Sequence, residues 1–133
     1  MTMSSIMILG ANGLIGQQFV ALCREKDIPW TGTRYSREGD GLIPFNLMEL
    51  DRMPRILDDV SPTVLINATG LSGGVNFCET NPETGYVYHV ESTKVMVDWC
   101  KENNAAYAFI STDYVFDGRN PPYKENDPVN PLN

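Results

Sequence analysis

The segment SIMILGANGLIG, residues 5–16, decides the fold of this 133-residue chain. Its first half, from Ser5 to Leu9, is almost entirely apolar, which is typical of a strand buried on both faces of a sheet. After the glycines, apolar residues recur at helical spacing and predict a helix from about Leu14 to Lys26. The apolar stripe of this predicted helix consists of Ile15, Phe19, Leu22 and Cys23.

Three glycines, Gly10, Gly13 and Gly16, lie in the turn between this strand and this helix. Residues without a Cβ atom allow a sharp turn and let the backbone approach a ligand closely. The N-terminus of the helix adds free N–H groups and the positive end of its dipole, a combination that favours the diphosphate of a dinucleotide. The candidate cofactor-binding residues of this turn are Gly10, Asn12, Gly13, Leu14, Ile15 and Gly16.

The spacing of these glycines is G-x-x-G-x-x-G, which differs from the G-x-G-x-x-G of the dehydrogenase fingerprint. A tight strand-to-helix turn that binds no ligand is therefore the alternative interpretation. A P-loop is excluded, because no Gly-Lys-Ser or Gly-Lys-Thr follows the glycines.

The end of the second predicted strand should select the ribose of a dinucleotide, since an acidic residue there would bind the 2′-hydroxyl of NAD. The sequence at this point is Thr31-Gly32-Thr33-Arg34, without an acidic residue, and Arg37 follows closely. A guanidinium suits a 2′-phosphate through paired, charge-assisted hydrogen bonds. The sequence therefore favours NADP over NAD, with Arg34 as a cofactor-binding residue. Two solvated loop charges are the alternative.

Along the rest of the chain, apolar runs of strand length alternate with stretches of helical period, as in βαβ units. The further predicted strands are Trp30–Thr33, Ile43–Phe45, Thr63–Asn67 and Ala106–Ser111. The pattern predicts one α/β domain over residues 1–133, with a Rossmann-like doubly wound parallel sheet of about five strands.

Two further helices are predicted between these strands. The first lies within Leu47–Val60, with Asp51 as its N-cap and Pro54 in its first turn. The second covers Pro82–Asn103 and should bury Tyr86, Val90, Val97 and Cys100. Before it, the glycines of residues 70–74 predict a flexible loop, and after Ser111 only turn dipeptides follow.

The composition bears on partners and location. Ten Lys and Arg against 17 Asp and Glu give a formal net charge of −7, which disfavours nucleic acid and anionic membranes as partners. The first residues contain neither a signal peptide nor a membrane span, so we expect a cytoplasmic protein. The three cysteines form no C-x-x-C pair, which predicts buried or half-buried thiols and no metal site.

A second informative motif follows the last predicted strand, where residues 111–118 read STDYVFDG. Pro121-Pro122-Tyr123, Glu125, Asp127 and Pro131 come after it. This segment strongly resembles the dTDP-4-dehydrorhamnose reductase family of extended short-chain dehydrogenases/reductases, and the related regulatory subunit of methionine adenosyltransferase shares it. Together with the glycine-rich turn, Asn46-Leu47 and residues 67–70, the resemblance covers essentially the whole chain.

The resemblance implies a cofactor that lies across the C-terminal ends of the strands. Thr112 matches one member of the family's Ser/Thr, Tyr, Lys catalytic set, and its hydroxyl would hold the 4-keto oxygen of the sugar. Asp113 and Tyr114 match positions that face the substrate sugar. The matched cofactor positions are Asn46 and Leu47 beside the adenine, and Ala68, Thr69 and Gly70 beside the riboses.

The sequence departs from the family pattern in two places. The family's Tyr-x-x-x-Lys, whose tyrosine is the general acid, is absent, because no lysine stands four residues after any of the six tyrosines. General acid catalysis of this kind contributes about 10²- to 10⁴-fold in rate, so we expect poor reduction by these residues alone. His89 stands where relatives commonly have Asn, and a structural or surface role is expected for it.

The family places later strands and a substrate domain after this point, so we expect a truncated family fold with an uncovered edge at the fifth strand. Two functions stay open. The first is the NAD(P)-binding portion of a reductase of nucleotide-activated 4-keto sugars. The second is an NADP-binding protein without turnover, like the regulatory subunit. A fragment that folds poorly is a third interpretation, and a homodimer is one option for assembly.

Overall fold

The computed structural model describes residues 5–133 and contains a five-stranded parallel sheet in the order β3-β2-β1-β4-β5. The strands are β1 (Ile6–Leu9), β2 (Trp30–Arg34), β3 (Ile43–Pro44), β4 (Val64–Asn67) and β5 (Ala106–Phe109). The predicted α/β doubly wound fold is confirmed, and each predicted strand has its observed ends within two residues. The chain moves outward from β1 through β2 to β3 and then returns to place β4 on the other side of β1.

The centre of the sheet is buried on both faces, as the apolar run of β1 predicts. Met7 and Leu9 of β1 and Leu65 of β4 belong to a core cluster on one face, while Ile8 belongs to a second cluster on the other face. The first cluster is closed by α2 (Met53–Val60) and α5 (Ser92–Glu102), and the second by α1 (Gly16–Glu25). The sheet is therefore a middle layer between helices.

Helix α1 begins two residues later than the sequence predicts. Leu14 and Ile15 precede it and are 83% and 44% exposed, and Leu22 is also exposed. The buried face of the helix consists of Gly16, Val20 and Cys23, so the predicted stripe is correct only at Cys23 and, in part, at the half-buried Phe19. The residues before Gly16 belong to the glycine-rich turn, so the helical repeat of buried positions begins at Gly16.

The start of α2 also differs from its prediction. The N-cap is Arg52 rather than Asp51, and it makes no side-chain capping hydrogen bond. A preceding turn, in which the N–H groups of Arg52 and Met53 both donate to the Glu49 carbonyl, supplies the first partners instead. Pro54 lies in the first turn as predicted.

The predicted flexible loop of residues 70–74 is wrong at its second half, where α3 (Gly74–Thr80) begins. Gly73 has φ of +88°, and a Cβ on it would lie 2.7 Å from the Cβ of Phe77. These glycines therefore start a short helix in a conformation that a side chain would obstruct. The helical segment that follows consists of α4 (Pro82–Tyr86), a π-helical turn (Val87–Glu91) and α5.

The π-helical turn changes which side chains face the core. Tyr86 and Val90, predicted to be buried, are 56% and 46% exposed, and the buried positions of α5 are Ser92, Met96, Trp99 and Cys100. A π turn inserts a residue into the helical repeat, so a stripe extrapolated at 3.6 residues per turn fails across it. The predicted burial of Cys100 is confirmed, and Val97 is half-buried.

Strand β5 lies at the edge of the sheet, and three of its four residues are exposed. The uncovered edge expected for the fifth strand is confirmed. The thiols are also as predicted, with Cys23 and Cys100 buried and Cys78 half-buried; burial raises the pKa of both Cys23 and Cys100. Between residues 5 and 133, no helix is both long and apolar enough to cross a membrane.

Candidate functional site

A cavity of about 800 Å³ opens at the C-terminal ends of β1 to β4. It lies at the point where the strand order reverses, between β1 and β4, which is where open α/β sheets bind ligands. Ten of the sequence-predicted site residues line it: Gly10, Asn12, Gly13, Leu14, Arg34, Asn46, Leu47, Ala68, Thr69 and Gly70.

The glycine-rich turn forms the floor of this cavity. Gly10 has φ of +74°, and its N–H donates to the Thr33 hydroxyl over 3.1 Å. The Ala11 N–H donates to the Thr33 carbonyl over 2.9 Å. Thr33 is buried and attaches the turn to β2, a role that the sequence of this strand does not reveal.

At each of the three glycines, a Cβ atom would meet a backbone oxygen atom, most severely at Gly16. A Cβ on Gly16 would lie 2.0 Å from the Gly10 carbonyl oxygen, and one on Gly13 would lie 3.1 Å from the same atom. A Cβ on Gly10 would lie 3.2 Å from the Ala68 carbonyl oxygen. Gly16 does not line the cavity; it allows α1 to pack closely behind the turn. Ile15 also lies outside the cavity lining.

The turn presents free donors. Within residues 5–133, the backbone N–H groups of Asn12, Leu14 and Ile15 donate to no other protein group. The side chains nearby hold the turn in place instead, since the Asn12 amide donates to the Arg37 carbonyl and the Gln17 amide donates to the Asn12 carbonyl, each over 3.0 Å. Free N–H groups at the start of a ten-residue helix are suited to an anion.

Two arginines line the cavity at and just after the C-terminal end of β2. Arg34 is half-buried and Arg37 is exposed, and both line the cavity. In the part of the chain that the structure describes, neither guanidinium forms an ion pair with a carboxylate. Both charges are therefore available to an anion in the cavity.

The residues after β3 form an apolar wall. Phe45 and Leu47 are buried at this end of the cavity. The Asn46 side chain accepts a hydrogen bond from the Met48 N–H over 3.0 Å, which fixes the turn between them. The Asn46 amide is thus part of the turn's own structure as well as of the cavity wall.

The segment after β4 is fixed by Asn67, which is 4% exposed. Its side-chain oxygen accepts from the Thr69 N–H over 3.2 Å and from the Thr69 hydroxyl over 2.7 Å, and its amide donates to the Tyr107 hydroxyl over 3.3 Å. This network holds Ala68, Thr69 and Gly70 against the cavity and joins them to β5.

The outer wall consists of residues that the sequence did not indicate. Phe77, Thr84 and Tyr88 line the cavity from α3, α4 and the π-helical turn, and Tyr35 lines it from the segment after β2. Phe77, Thr84 and Tyr88 were not recognised as site residues, because the flexible loop and the helical stripe were predicted wrongly. The aromatic side chains of Phe77, Tyr88 and Tyr35 were the signal in the sequence that could have indicated this wall.

The substrate candidates lie elsewhere. Thr112 does not line the cavity; its hydroxyl donates to the Asp113 carboxylate over 3.3 Å and accepts from the Tyr114 N–H over 3.2 Å. Asp113 and Tyr114 line a second cavity of about 660 Å³ with residues of the 116–133 segment. The structure therefore groups the cofactor candidates in one cavity and separates the substrate candidates from them.

The donors of the first cavity fit an extended, negatively charged ligand with flat ends. Helix N–H groups and two guanidinium groups supply positive potential, and the apolar wall after β3 suits a ring system. Within residues 5–133, no three side chains of His, Cys, Asp or Glu lie together in a way that could hold a metal ion.

Comparisons with known proteins agree with this architecture. Residues 3–133 match the family model described as the RmlD substrate binding domain. The beta subunit of methionine adenosyltransferase 2 from Danio rerio is 31% identical over 129 residues, which make up 96% of this chain and 39% of that protein. The chain thus spans about two fifths of the length of this curated relative.

Two solved structures have the same fold. A hypothetical dTDP-4-dehydrorhamnose reductase from Sulfolobus tokodaii superposes with a TM-score of 0.90 and 32% identity, over 97% of this chain and 46% of that one. A dTDP-4-dehydrorhamnose reductase from Bacillus anthracis, solved in complex with NADP, gives a TM-score of 0.82 at 20% identity, over 100% of this chain and 45% of that one. The sequence match over nearly every residue and the shared five-stranded sheet place this chain in the RmlD family of dTDP-4-dehydrorhamnose reductase-like Rossmann domains.

Proposed function

We propose that this chain binds a nicotinamide dinucleotide as the cofactor-binding portion of a reductase of nucleotide-activated 4-keto sugars. The observation that carries the proposal is the glycine-rich turn, whose free N–H groups open into the cavity at the reversal of strand order. A Cβ atom on Gly10 or Gly13 would crowd this turn, so only the backbone atoms of these two residues border the space for a ligand. A turn of this kind fits a diphosphate.

The other residues of the cavity would take the roles that the sequence and its resemblance to the family imply. The free N–H groups beside Gly13 would hold the diphosphate, Arg34 the adenosine ribose, Asn46 and Leu47 the adenine, and Thr69 the second ribose. A bound nicotinamide in its reduced form would supply a hydride to a ketone. Thr112 would hold the keto oxygen, with Asp113 and Tyr114 facing the sugar, as the resemblance implies.

The choice between NADP and NAD rests on Arg34 and Arg37. Neither is neutralised by a carboxylate among the described residues, and neither faces an acidic residue that would bind a 2′-hydroxyl. A free guanidinium beside the ribose supports NADP.

The test of cofactor binding is a calorimetric titration of the chain with NADPH and with NADH. We expect binding of both, tighter for NADPH, with the preference reduced about tenfold in Arg34→Ala, since a charge-assisted pair contributes about 1.5–3 kcal/mol when it is well formed. Arg55→Ala is the matched control, because Arg55 is exposed on α2 outside the cavity. Absence of binding to either dinucleotide would overturn the proposal.

A second candidate function is supported by the relative from Danio rerio, which is a subunit of methionine adenosyltransferase 2. In this alternative the chain holds NADP and binds a protein partner without turnover.

Turnover separates the two candidates. We would follow NADPH oxidation with a dTDP-4-keto-6-deoxy sugar in the full-length protein that contains residues 1–133. The reductase proposal predicts oxidation that Thr112→Val reduces by about 10²-fold or more, because the hydroxyl positions the keto oxygen. The binding-protein alternative predicts dinucleotide binding without oxidation.

A further inference from the structure

A side-chain hydrogen bond joins β4 and β5 close to the C-terminal end of β4. The Asn67 amide donates to the Tyr107 hydroxyl over 3.3 Å. Asn67 is 4% exposed, and among residues 5–133 this hydroxyl is the one acceptor that its amide nitrogen reaches. A buried donor without a partner is costly, so Tyr107 satisfies a group for which the rest of the described chain supplies no acceptor.

The strand register explains how Tyr107 reaches Asn67. Tyr107 pairs with Leu65, and Asn67 pairs with Phe109, so these four residues share one face of the sheet. The half-buried ring of Tyr107 packs against the core cluster that contains Leu65. Neither Tyr107 nor Asn67 lines the first cavity. The place of the Tyr107 hydroxyl is therefore set by packing behind the cavity.

The oxygen of the Asn67 side chain holds Thr69. It accepts from the Thr69 N–H over 3.2 Å and from the Thr69 hydroxyl over 2.7 Å. Because the oxygen faces Thr69, the amide nitrogen faces β5 and depends on Tyr107 for its partner. Without the Tyr107 hydroxyl, the nitrogen would turn toward water, and the oxygen would move away from Thr69.

Thr69 lines the cavity on the β4 side of β1, whereas Arg34 lines it on the β2 side. In the proposed function Arg34 contacts the adenosine ribose, and the turn after β1 holds the diphosphate. The second ribose of the dinucleotide would therefore lie at Thr69. A change at Tyr107 would reach a ligand in the cavity through the Thr69 hydroxyl.

We propose that Tyr107 is a positioning residue for the second ribose of the dinucleotide, and that it acts through Asn67 and the Thr69 hydroxyl; this step rests on the proposed function. The same hydrogen bonds attach the cofactor segment to β5, which ends at Phe109, shortly before Thr112. The attachment would keep the second ribose at a constant distance from the keto oxygen that Thr112 holds, as a hydride transfer requires.

The test compares ADP-ribose, which contains the second ribose, with ADP, which ends at the diphosphate. Tyr107→Phe retains the ring and removes only the hydroxyl. In calorimetric titrations we expect this variant to bind NADPH and ADP-ribose about three- to tenfold more weakly than the parent chain, the effect of one hydrogen bond. Its affinity for ADP should stay within about twofold of the parent, because ADP does not reach Thr69.

A double-mutant cycle tests the path from Tyr107 to the ligand. Thr69→Ala removes the hydroxyl proposed to face the ribose and should itself weaken the binding of ADP-ribose. In this background Tyr107→Phe should change the affinity for ADP-ribose by less than about twofold, since both substitutions remove the same contact.

Hydrogen exchange at the Thr69 N–H gives a measurement that needs no ligand. Exchange should be faster in Tyr107→Phe than in the parent chain, because the Asn67 oxygen that holds this N–H is no longer fixed. The matched control is Tyr86→Phe, which removes a phenol hydroxyl from an exposed side chain outside the cavity. This control should leave the three affinities and the exchange at Thr69 unchanged.

The outcomes separate the two proposals. If the parent chain binds neither NADPH nor NADH, the proposed function fails and the role of Tyr107 fails with it. If the parent binds both but Tyr107→Phe binds ADP-ribose as tightly as the parent, the cofactor site stands and the role of Tyr107 is wrong. An equal loss of affinity for ADP would also contradict this role, because the damage would then not be confined to the second ribose. A full loss that persists in the Thr69→Ala background would overturn it as well, since Tyr107 would then act by another path.

Discussion

The centre of the sheet and the segment that follows β5 are stabilised in different ways. In β1 and β4, Met7, Leu9 and Leu65 are 1% exposed or less and pack in the apolar core cluster on one face of the sheet. In residues 106–133 almost every residue is half-buried or exposed. Burial of apolar area favours the first region at any pH, while the second depends on polar contacts that protonation can remove.

Those polar contacts converge on Asp117. One carboxylate oxygen accepts from the Arg119 N–H over 3.0 Å and from the Tyr123 hydroxyl over 2.7 Å, and the other accepts from the Asn130 amide over 3.0 Å. The Tyr123 ring stacks on Phe116 with centroids 4.4 Å apart. The Asp117 carboxylate thus connects three residues of a segment that buries little apolar surface.

The largest expected effect comes from adding volume at the centre. A Cβ in Gly16→Ala would lie 2.0 Å from the Gly10 carbonyl oxygen, a backbone atom that cannot move aside. We expect a loss of at least about 3 kcal/mol of unfolding free energy in urea titrations. The control, Gly70→Ala, has open space and should change stability by about 1 kcal/mol or less. Equal effects would mean that α1 is not packed closely on the turn.

The next effect compares two strands directly. Leu65→Ala in β4 empties a fully buried site and should cost about 2–5 kcal/mol, whereas Phe109→Ala in β5 removes a ring that is 51% exposed and should cost about 1 kcal/mol or less. Both variants are measured by urea unfolding of the same chain. A similar cost for both would show that the edge of β5 is covered in solution.

The same contrast explains which features the sequence could predict. All five strands and the glycine-rich turn were predicted, because apolar runs and residues without Cβ record burial and close approach directly. Ten cofactor candidates lie in one cavity for the same reason, since each follows the C-terminal end of a strand.

The predictions that were wrong concern features that the pattern of apolar residues does not record. The burial of Tyr86 and Val90 was wrong because a π turn changes the phase of the helix, and the loop at residues 70–74 was wrong because Gly73 starts a helix against Phe77. Thr33 gave no signal, since a hydroxyl that bonds the Gly10 N–H resembles any threonine of a strand.

The third effect tests the polar region through its pH dependence. The hydrogen bonds from Arg119, Tyr123 and Asn130 hold the pKa of Asp117 at about 2, below its ordinary value of 3.8. The stabilising contribution of this carboxylate is therefore complete above pH 3.8 and is lost as the pH falls through about 2.

Asp117→Asn removes the charge while keeping the shape of the side chain. We expect faster hydrogen exchange at the Arg119 amide in this variant than in the parent chain. Because residue 117 no longer titrates in the variant, its protonation cannot change the exchange rate there between pH 4 and 2. Exchange at the amides of β1 and β4 should be the same in both proteins. If exchange there accelerated as well, the two regions would not be independent.

The smallest expected effect separates the contribution of one hydrogen bond to the pKa of Asp117 from those of the others. Tyr123→Phe keeps the ring stacked on Phe116 but removes the hydroxyl that donates to Asp117. The Arg119 N–H and the Asn130 amide remain as donors, so the pKa of Asp117 should rise only part of the way from about 2 toward its ordinary value. A carboxyl carbon titration by NMR measures this directly. An unchanged pKa would mean that the backbone and Asn130 alone hold the carboxylate, and a complete return to 3.8 would mean that the tyrosine orders the whole segment.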